Sequence, residues 1–198
     1  MRKTLLFLFA FSCLTVSAQD VKKAIRDHYT SAKEYVSAVE KLESEGESYP
    51  VPMYFKVKCL QNYPGTGCHE ENISMYYNEV ENDDIIPPIY LDFAVMKYNF
   101  AACEYYEEYL YDRQGRIQFF YYAGPDVDGI DWEYRFYFNN GKLFDVLVKM
   151  REMDSDEYKT AYTGKTAPAK YNGIYQSKLN TSDHILKMFK AIDAVRHE

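Results

Sequence analysis

Residues able to perform acid–base or metal chemistry are few in this chain, and their spacing matches no common catalytic pattern. The chain has four histidines and four cysteines but contains neither H-E-x-x-H nor a paired C-x-x-C motif. Those motifs hold the ligands of a zinc ion at fixed spacing along the chain. Cys59, Cys68 and His69 could bind a soft metal ion together, but we favour a disulfide, or no bond, over such a site. We therefore expect no cofactor.

Hydrolytic and nucleotide-dependent catalysis lack a clear pattern as well. No serine lies in a G-x-S-x-G context, and residues 164–166 have the end of a phosphate-binding loop without its upstream glycine. The segment 126–131 resembles a calcium-binding loop, but it lacks the closing glutamate. We interpret it as a polar turn. The sequence thus favours a non-catalytic protein over an enzyme, with a hydrolase built on an unidentified carboxylate pair as one alternative.

Tyrosine is the most distinctive residue type, with 21 copies in the chain. Its side chain is rigid and amphipathic, so an exposed array of tyrosines suits stacking on sugars or binding another protein. The simpler alternative is that tyrosine fits the half-buried surface of a pleated sheet. The candidate ligand-binding residues, expected on the wetter sheet face, are Tyr54, Tyr76, Tyr106, Tyr122 and Tyr137.

The segment 103–123 predicts a β-hairpin rich in aromatic residues. Asp112-Arg113-Gln114-Gly115 lies between two aromatic runs, which is typical of a type I turn closed by a glycine in the left-handed conformation. We expect this turn to place Tyr109 opposite Phe119. The odd-numbered side chains of the hairpin would then point towards the helices.

A second hairpin is predicted over 131–150, around Asn139-Asn140-Gly141. The turn could close with two or three residues in the loop. We expect three, because that register keeps Phe136 and Val146 on one face, and a slip by one residue would turn an apolar set into water. The even-numbered side chains of this hairpin would then point towards the helices.

Amphipathic patterns predict a helix at each end of the chain, over 20–45 and from Asp183 onwards. Alternating patterns predict strands at 52–61, around 73–77, at 89–98, in the two hairpins and, as a weaker candidate, at 156–162. Residues 163–170 are predicted as a loop. The predicted fold is α+β: a single antiparallel meander sheet of about seven strands, with the N- and C-terminal helices packed on one face.

Cys59 and Cys68 flank a turn-rich loop, and we expect a disulfide between them. Closing so short a loop would stabilise the fold by about 2–3 kcal/mol. The apolar register of the flanking strands places Phe55 opposite Ile73, which leaves Cys68 just off the ladder. Cys103 is interpreted as a small core residue.

The first residues predict export. Residues 1–18 combine a basic start, a short apolar run and a small-residue cleavage site, which together are typical of a signal peptide. We favour cleavage after Ala18 over lipidation of Cys13, because Ala10 stands where a lipoprotein signal would have leucine. Residues 19–198 would then form one domain. The apolar run is too short for a transmembrane segment, and the net charge of −7 argues against nucleic acid as a partner.

The leader ending S-A-Q and the following K-K-A-I-R-D-H-Y-x-x-A-K-E-Y, which covers 22–35, resemble small exported proteins of Bacteroides-like gut bacteria. The resemblance extends over the leader and the first helix only. It implies a periplasmic or secreted protein, and it carries over no catalytic or binding residue.

These observations together predict an exported, non-catalytic binding protein that contacts an unidentified protein or glycan through its tyrosine-rich sheet face. Two further alternatives belong to other classes of binding. One is a glycan-binding protein, which requires three or more coplanar, exposed tyrosines. The other is a carrier that holds an apolar ligand between a curved sheet and the helices.

Overall fold

Eight antiparallel strands and two long helices form the chain in the computed structural model, which describes residues 18–47, 54–81 and 86–195. The predicted signal peptide lies outside these residues except for Ala18, and so does Cys13. The elements are α1 (Ala18–Ser44), β1 (Tyr54–Tyr63), β2 (Gly67–Glu79), β3 (Ile89–Phe100), β4 (Cys103–Tyr111), β5 (Ile117–Pro125), β6 (Asp131–Asn139), β7 (Lys142–Arg151), β8 (Lys159–Gly164) and α2 (Ala169–Val195).

The strands follow one another in the sheet in chain order, from β1 to β8, and every neighbouring pair is antiparallel. This confirms the predicted α+β meander, and the weaker candidate at 156–162 forms the eighth strand. Alternation of apolar side chains along each strand explains the arrangement, because successive side chains point to opposite faces.

The two helices cover opposite faces of the sheet, so the expectation that both pack on one face is wrong. Buried residues of α1 cluster with Phe93 and Leu110, whereas those of α2 cluster with Ala94 and Tyr109. Adjacent residues on β3 and β4 thus belong to different cores. The central strands are apolar on both faces, and each face therefore needs its own helix to exclude water.

The first central hairpin contains a one-residue shift that the sequence pattern does not reveal. Its register changes between Leu110 and Tyr111, so that Tyr109 pairs with Phe120 rather than with Phe119. The predicted orientation of the odd-numbered residues is therefore confirmed on β4 but wrong on β5. There Phe120 and Tyr122 join the core beneath α2. An extra residue in one strand of a hairpin reverses the face of every residue beyond it.

The second hairpin closes through two residues, and the predicted three-residue loop is wrong. Asn139 pairs with Lys142, and the loop residues Asn140 and Gly141 have φ angles of 50° and 74°. Two successive positive φ angles are the mark of a type I′ turn. A register shift between Tyr137 and Phe138 then pairs Phe136 with Val146, so that the two share one face as expected. The even-numbered residues of β6 face α2, as predicted.

The predicted disulfide is absent, and Cys59, Cys68 and Cys103 are free thiols. Cys59 pairs with Glu71, and Cys68 pairs with Asn62 three positions further along β1. The register places Phe55 opposite Met75 instead of Ile73. Cys59 shares the parity of Phe55, which faces α2, whereas Cys68 shares the parity of Tyr76, which faces α1. The two sulfur atoms therefore point to opposite faces of the sheet.

Helix α2 begins at Ala169, fourteen residues before the predicted start at Asp183. Its buried side chains include Lys178 and Ser182, and these polar residues interrupt the apolar pattern that would have marked the helix. Ser182 lies inside the helix, where its carbonyl oxygen accepts a hydrogen bond of 2.9 Å from the Tyr111 hydroxyl.

A buried glutamate on each side of β4 ties the sheet to a helix. Glu107 points towards α2, where it accepts hydrogen bonds from the Lys178 ammonium group and from the Tyr109 hydroxyl. The ammonium group also lies 4.2 Å from the centroid of the Tyr122 ring. Lys178 and Glu107 are almost completely buried, so each must neutralise the charge of the other, because water cannot reach them to do so.

Glu108 makes the corresponding contacts with α1. Its carboxylate accepts hydrogen bonds of 2.6 Å from both the Tyr29 hydroxyl and the Lys33 ammonium group. The Tyr106 hydroxyl, on the same strand, donates a third bond of 2.5 Å. Each helix therefore contributes one lysine to one buried carboxylate.

Replacing Lys178 by alanine is expected to lower the free energy of unfolding by about 3–5 kcal/mol, because Glu107 would remain buried without a countercharge. Urea unfolding followed by circular dichroism measures this change. Lys187→Ala serves as the control, since Lys187 pairs with Asp183 at the helix surface, and it should cost far less. Equal losses for the two variants would show that the buried pair does not hold α2 in place.

Candidate functional site

Four of the five candidate tyrosines lie on the face that α1 covers, and helix contacts account for much of their surface. Tyr76 and Tyr137 are only 3% and 4% exposed, within the core beneath α1. Tyr54 donates a hydrogen bond of 2.8 Å to Glu43 of the helix, and Tyr106 donates to Glu108. Tyr122 is buried on the opposite face. The structure therefore does not bring the five residues together as an exposed, coplanar array.

Glu107 and Glu108 are the two buried carboxylates among the described residues, and they face opposite sides of the sheet. They cannot act together on one substrate, because catalysis by a carboxylate pair requires both groups to line one cleft. The part of the chain that the structure describes also holds no cluster of three or more His, Cys, Asp or Glu side chains placed to bind a metal ion.

His28 of α1 lies between two oxygen acceptors of the sheet. Its Nε2 atom is 2.9 Å from a carboxylate oxygen of Asp92, and its Nδ1 atom is 3.0 Å from the side-chain oxygen of Gln118. The hydrogen bond to Asp92 raises the pKa of His28 above its ordinary value, in opposition to partial burial. Both neighbouring atoms are oxygens, so this arrangement favours the protonated ring, in which both nitrogens donate. These two contacts therefore connect His28 of α1 to the sheet, and they occupy both of its ring nitrogens.

Aromatic side chains, some of them partly exposed, line a groove on the other face, near the start of α2. This aromatic groove has a volume of about 500 Å³. Its wall residues come from β3 to β6 and from α2, and the ones that matter below are Phe100, Tyr105, Tyr122, Trp132, Lys170 and Tyr171. The helix begins only at Ala169, so the sheet beyond that point has no helical cover.

Stacked tyrosines line the aromatic groove. The Tyr105 and Tyr122 centroids are 6.3 Å apart with an angle of 10° between the ring planes. On its other side, outside the groove lining, Tyr105 stacks on Tyr98 at 5.0 Å and 18°. Gly124 makes room for this row, because a Cβ atom there would lie 2.3 Å from the Tyr105 ring. A glycine in a strand often marks such a close approach.

Trp132 forms one side of the aromatic groove and is held by polar contacts. Its indole Nε1 donates a hydrogen bond of 2.8 Å to Asp126, which is the main reason that the pKa of Asp126 is lowered. Asp126 also accepts hydrogen bonds from the backbone of Asp128 and Ile130. The segment 126–131 is therefore a turn organised by one carboxylate, as predicted. The Lys170 ammonium group lies 5.3 Å from the Trp132 ring.

The aromatic groove opens towards the end of the sheet that carries the β1–β2, β3–β4, β5–β6 and β7–β8 connections. This open end also carries most of the large apolar side chains exposed among the described residues, namely Leu60, Tyr63, Phe100, Val127 and Met153. Val127 is fully exposed. Exposed apolar residues that gather in one region commonly mark a binding surface.

Sequence reasoning missed the aromatic groove although it identified every strand that lines it. The alternation pattern places Tyr105 and Trp132 on the buried face, which the sequence predicts to be covered by both helices. Locating the groove requires knowing where α2 begins, and the buried Lys178 interrupts the apolar pattern that would indicate that start. Gly129 and Trp132, three positions apart at the β5–β6 turn, were the available signal.

Comparisons with family models, with curated proteins and with solved structures found no match to this chain. Among the described residues, neither helix combines the length and apolar composition needed to cross a membrane.

The contribution of His28 to stability should decrease as the pH rises. Because its pKa is raised in the folded protein, its contribution is fully present below the unfolded value of about 6.5 and is lost as the pH passes the folded value. We expect the free energy of unfolding of the wild type, relative to His28→Gln, to fall as the pH rises above about 6.5 and through the raised pKa of the folded protein. Chemical denaturation across this range tests the prediction, and a difference that grows with pH would contradict it.

Proposed function

We propose that this chain is an exported, non-catalytic binding protein that takes up a small apolar ligand containing a ring in the aromatic groove. One observation carries the proposal: the stacked pair Tyr105 and Tyr122, together with Trp132, lines an open groove among exposed apolar side chains. Export rests on the signal peptide predicted from residues 1–18.

The dimensions and lining of the groove support a small ligand. Sites for small molecules commonly occupy about 300–1,000 Å³ and are lined by apolar and aromatic side chains with a few polar groups. The aromatic groove, at about 500 Å³, lies inside this range. Lys170 and Asp126 supply the polar groups at its side.

Neutral tyrosines favour an apolar occupant over a charged one. Burial raises the pKa of Tyr122 well above its usual value, and it raises the pKa of Tyr134 to about 12. Tyrosine is already neutral at pH 7, and these shifts keep both rings neutral at higher pH as well, so the tyrosines add no charge to the groove. Rings of this kind gain affinity both from the area that they bury and from ring-to-ring contact.

The alternative of a glycan-binding protein receives less support from the geometry. It required several exposed, coplanar tyrosines on one face, and Tyr76, Tyr122 and Tyr137 are buried. The predicted contact through the tyrosine-rich face meets the same difficulty, because α1 occupies much of that face.

A neutral fluorescent dye, N-phenyl-1-naphthylamine, tests the aromatic groove directly. We expect the mature protein to bind the dye and Trp132→Ala to weaken binding by about tenfold or more, since truncation of a central aromatic residue commonly costs above 1 kcal/mol. Gly124→Ala should also weaken binding, because the added Cβ displaces the Tyr105 ring. Dye emission gives both affinities without relying on tryptophan fluorescence.

Tyr54→Ala is the matched control, because it removes an aromatic ring from the opposite face. Its dye affinity should equal that of the wild type. If Trp132→Ala and Gly124→Ala both retained wild-type affinity while remaining folded, the aromatic groove would not be the binding site, and the proposal would be wrong.

A further inference from the structure

A second groove lies on the face of α1, between that helix and the strands β4 to β7. We define this basic groove by its charged wall residues Arg26, Lys33, Glu108, Arg135 and Lys149. Its volume is about 710 Å³, larger than that of the aromatic groove. It forms because α1 crosses the sheet diagonally. Lys22, near the start of the helix, forms an ion pair with Asp145 of β7, and Glu43, near its end, forms one with Lys56 of β1. One part of the sheet surface beside the helix stays uncovered.

The positive charges in the basic groove exceed the negative ones. Lys33 pairs with Glu108 at 2.6 Å, and Arg135 pairs with Glu133 at 3.0 Å. Arg26 and Lys149 form no ion pair within 18–47, 54–81 and 86–195. Four cations therefore face two carboxylates, which leaves an excess of two positive charges. This excess is unusual in a chain with 30 acidic and 23 basic side chains.

Lys149 occupies a position where a negatively charged group would stabilise it. Its side chain is half-buried on β7, so that its ammonium group has lost part of its hydration. Glu133 lies across the ladder from Lys149. The Glu133 carboxylate, however, is already bonded to the Tyr121 hydroxyl at 2.9 Å and to Arg135.

The remaining wall of the basic groove is aromatic and apolar. Phe119, Tyr121, Tyr137 and Leu147 contribute to it, and the Arg135 guanidinium group lies 5.2 Å from the Tyr121 ring centroid. Burial raises the pKa of Tyr121, and the nearby Glu133 raises it further. The tyrosine is therefore neutral and adds no negative charge to the groove.

We infer that the basic groove binds a small organic anion, whose acidic group is held by Arg26 and Lys149 and whose apolar body lies against Phe119, Tyr121 and Leu147. Charged hydrogen bonds would supply selectivity for the acidic group, and ring contacts would supply much of the buried area. This site lies on the opposite face from the aromatic groove and does not rest on the proposed function.

8-Anilinonaphthalene-1-sulfonate tests the inference, because it is the dye used for the aromatic groove with one sulfonate group added. We expect the mature protein to bind it at a site that the neutral dye does not occupy. Arg26→Ala/Lys149→Ala should weaken sulfonate binding by about tenfold or more, since charged hydrogen bonds contribute strongly, and it should leave the affinity for the neutral dye unchanged. Added salt should weaken sulfonate binding in the wild type.

The double variant Lys23→Ala/Lys187→Ala is the matched control for net charge. Both lysines form exposed helical pairs, with Asp27 and Asp183, outside the groove. Its sulfonate affinity should remain close to that of the wild type. The charge-preserving variant Lys149→Arg, paired with native Arg26, should also retain binding, which separates loss of charge from loss of fold.

Two results would overturn the inference. One is an equal sulfonate affinity for Arg26→Ala/Lys149→Ala and for the charge control. The other is loss of sulfonate binding in Trp132→Ala alone, which would place both dyes in the aromatic groove. The second result would be consistent with the proposed function. Conversely, failure of the neutral dye to bind the aromatic groove would contradict the proposed function without bearing on the basic groove.

Discussion

Two adjacent glutamates in the middle of the sheet determine how this molecule is assembled. Glu107 and Glu108 point to opposite faces of β4, and each is bonded to one lysine from one helix. Ion pairs of this kind add little net stability, because desolvation offsets the attraction, but separating them is costly. Each pair, together with the apolar contacts of its helix, ties one point of that helix to the centre of the sheet: Lys178 for α2 and Lys33 for α1.

The positions of the helices in turn decide which parts of the sheet remain open. With Lys178 bonded to Glu107, α2 begins near Trp132 and runs towards Phe55, and the aromatic groove lies at the open end beside the start of the helix. On the other face, α1 crosses the strands diagonally, which leaves the basic groove along its side. Both grooves are thus consequences of docking a straight helix onto a twisted sheet that is wider than the helix.

The two grooves differ in chemistry although they share the same strands. Side chains alternate between faces along a strand, so neighbouring residues contribute to different sites. Tyr121 faces the basic groove, and Tyr122 lines the aromatic groove. A sheet buried on both faces, with tyrosine on each, thereby offers two unlike surfaces from a single run of sequence.

The sequence by itself determined the strands, their antiparallel order and the positions of the turns, because these depend on local alternation and on residues such as Gly115 and Gly141. Only the tertiary structure decided which face each helix covers, since a strand that is apolar on both sides is compatible with either arrangement. It also decided the register shifts at Leu110 and Tyr137, which move β5 by one position and leave Phe136 opposite Val146. The start of α2 likewise depended on a residue distant in sequence, because Lys178 can be buried in the core only where Glu107 supplies the opposite charge.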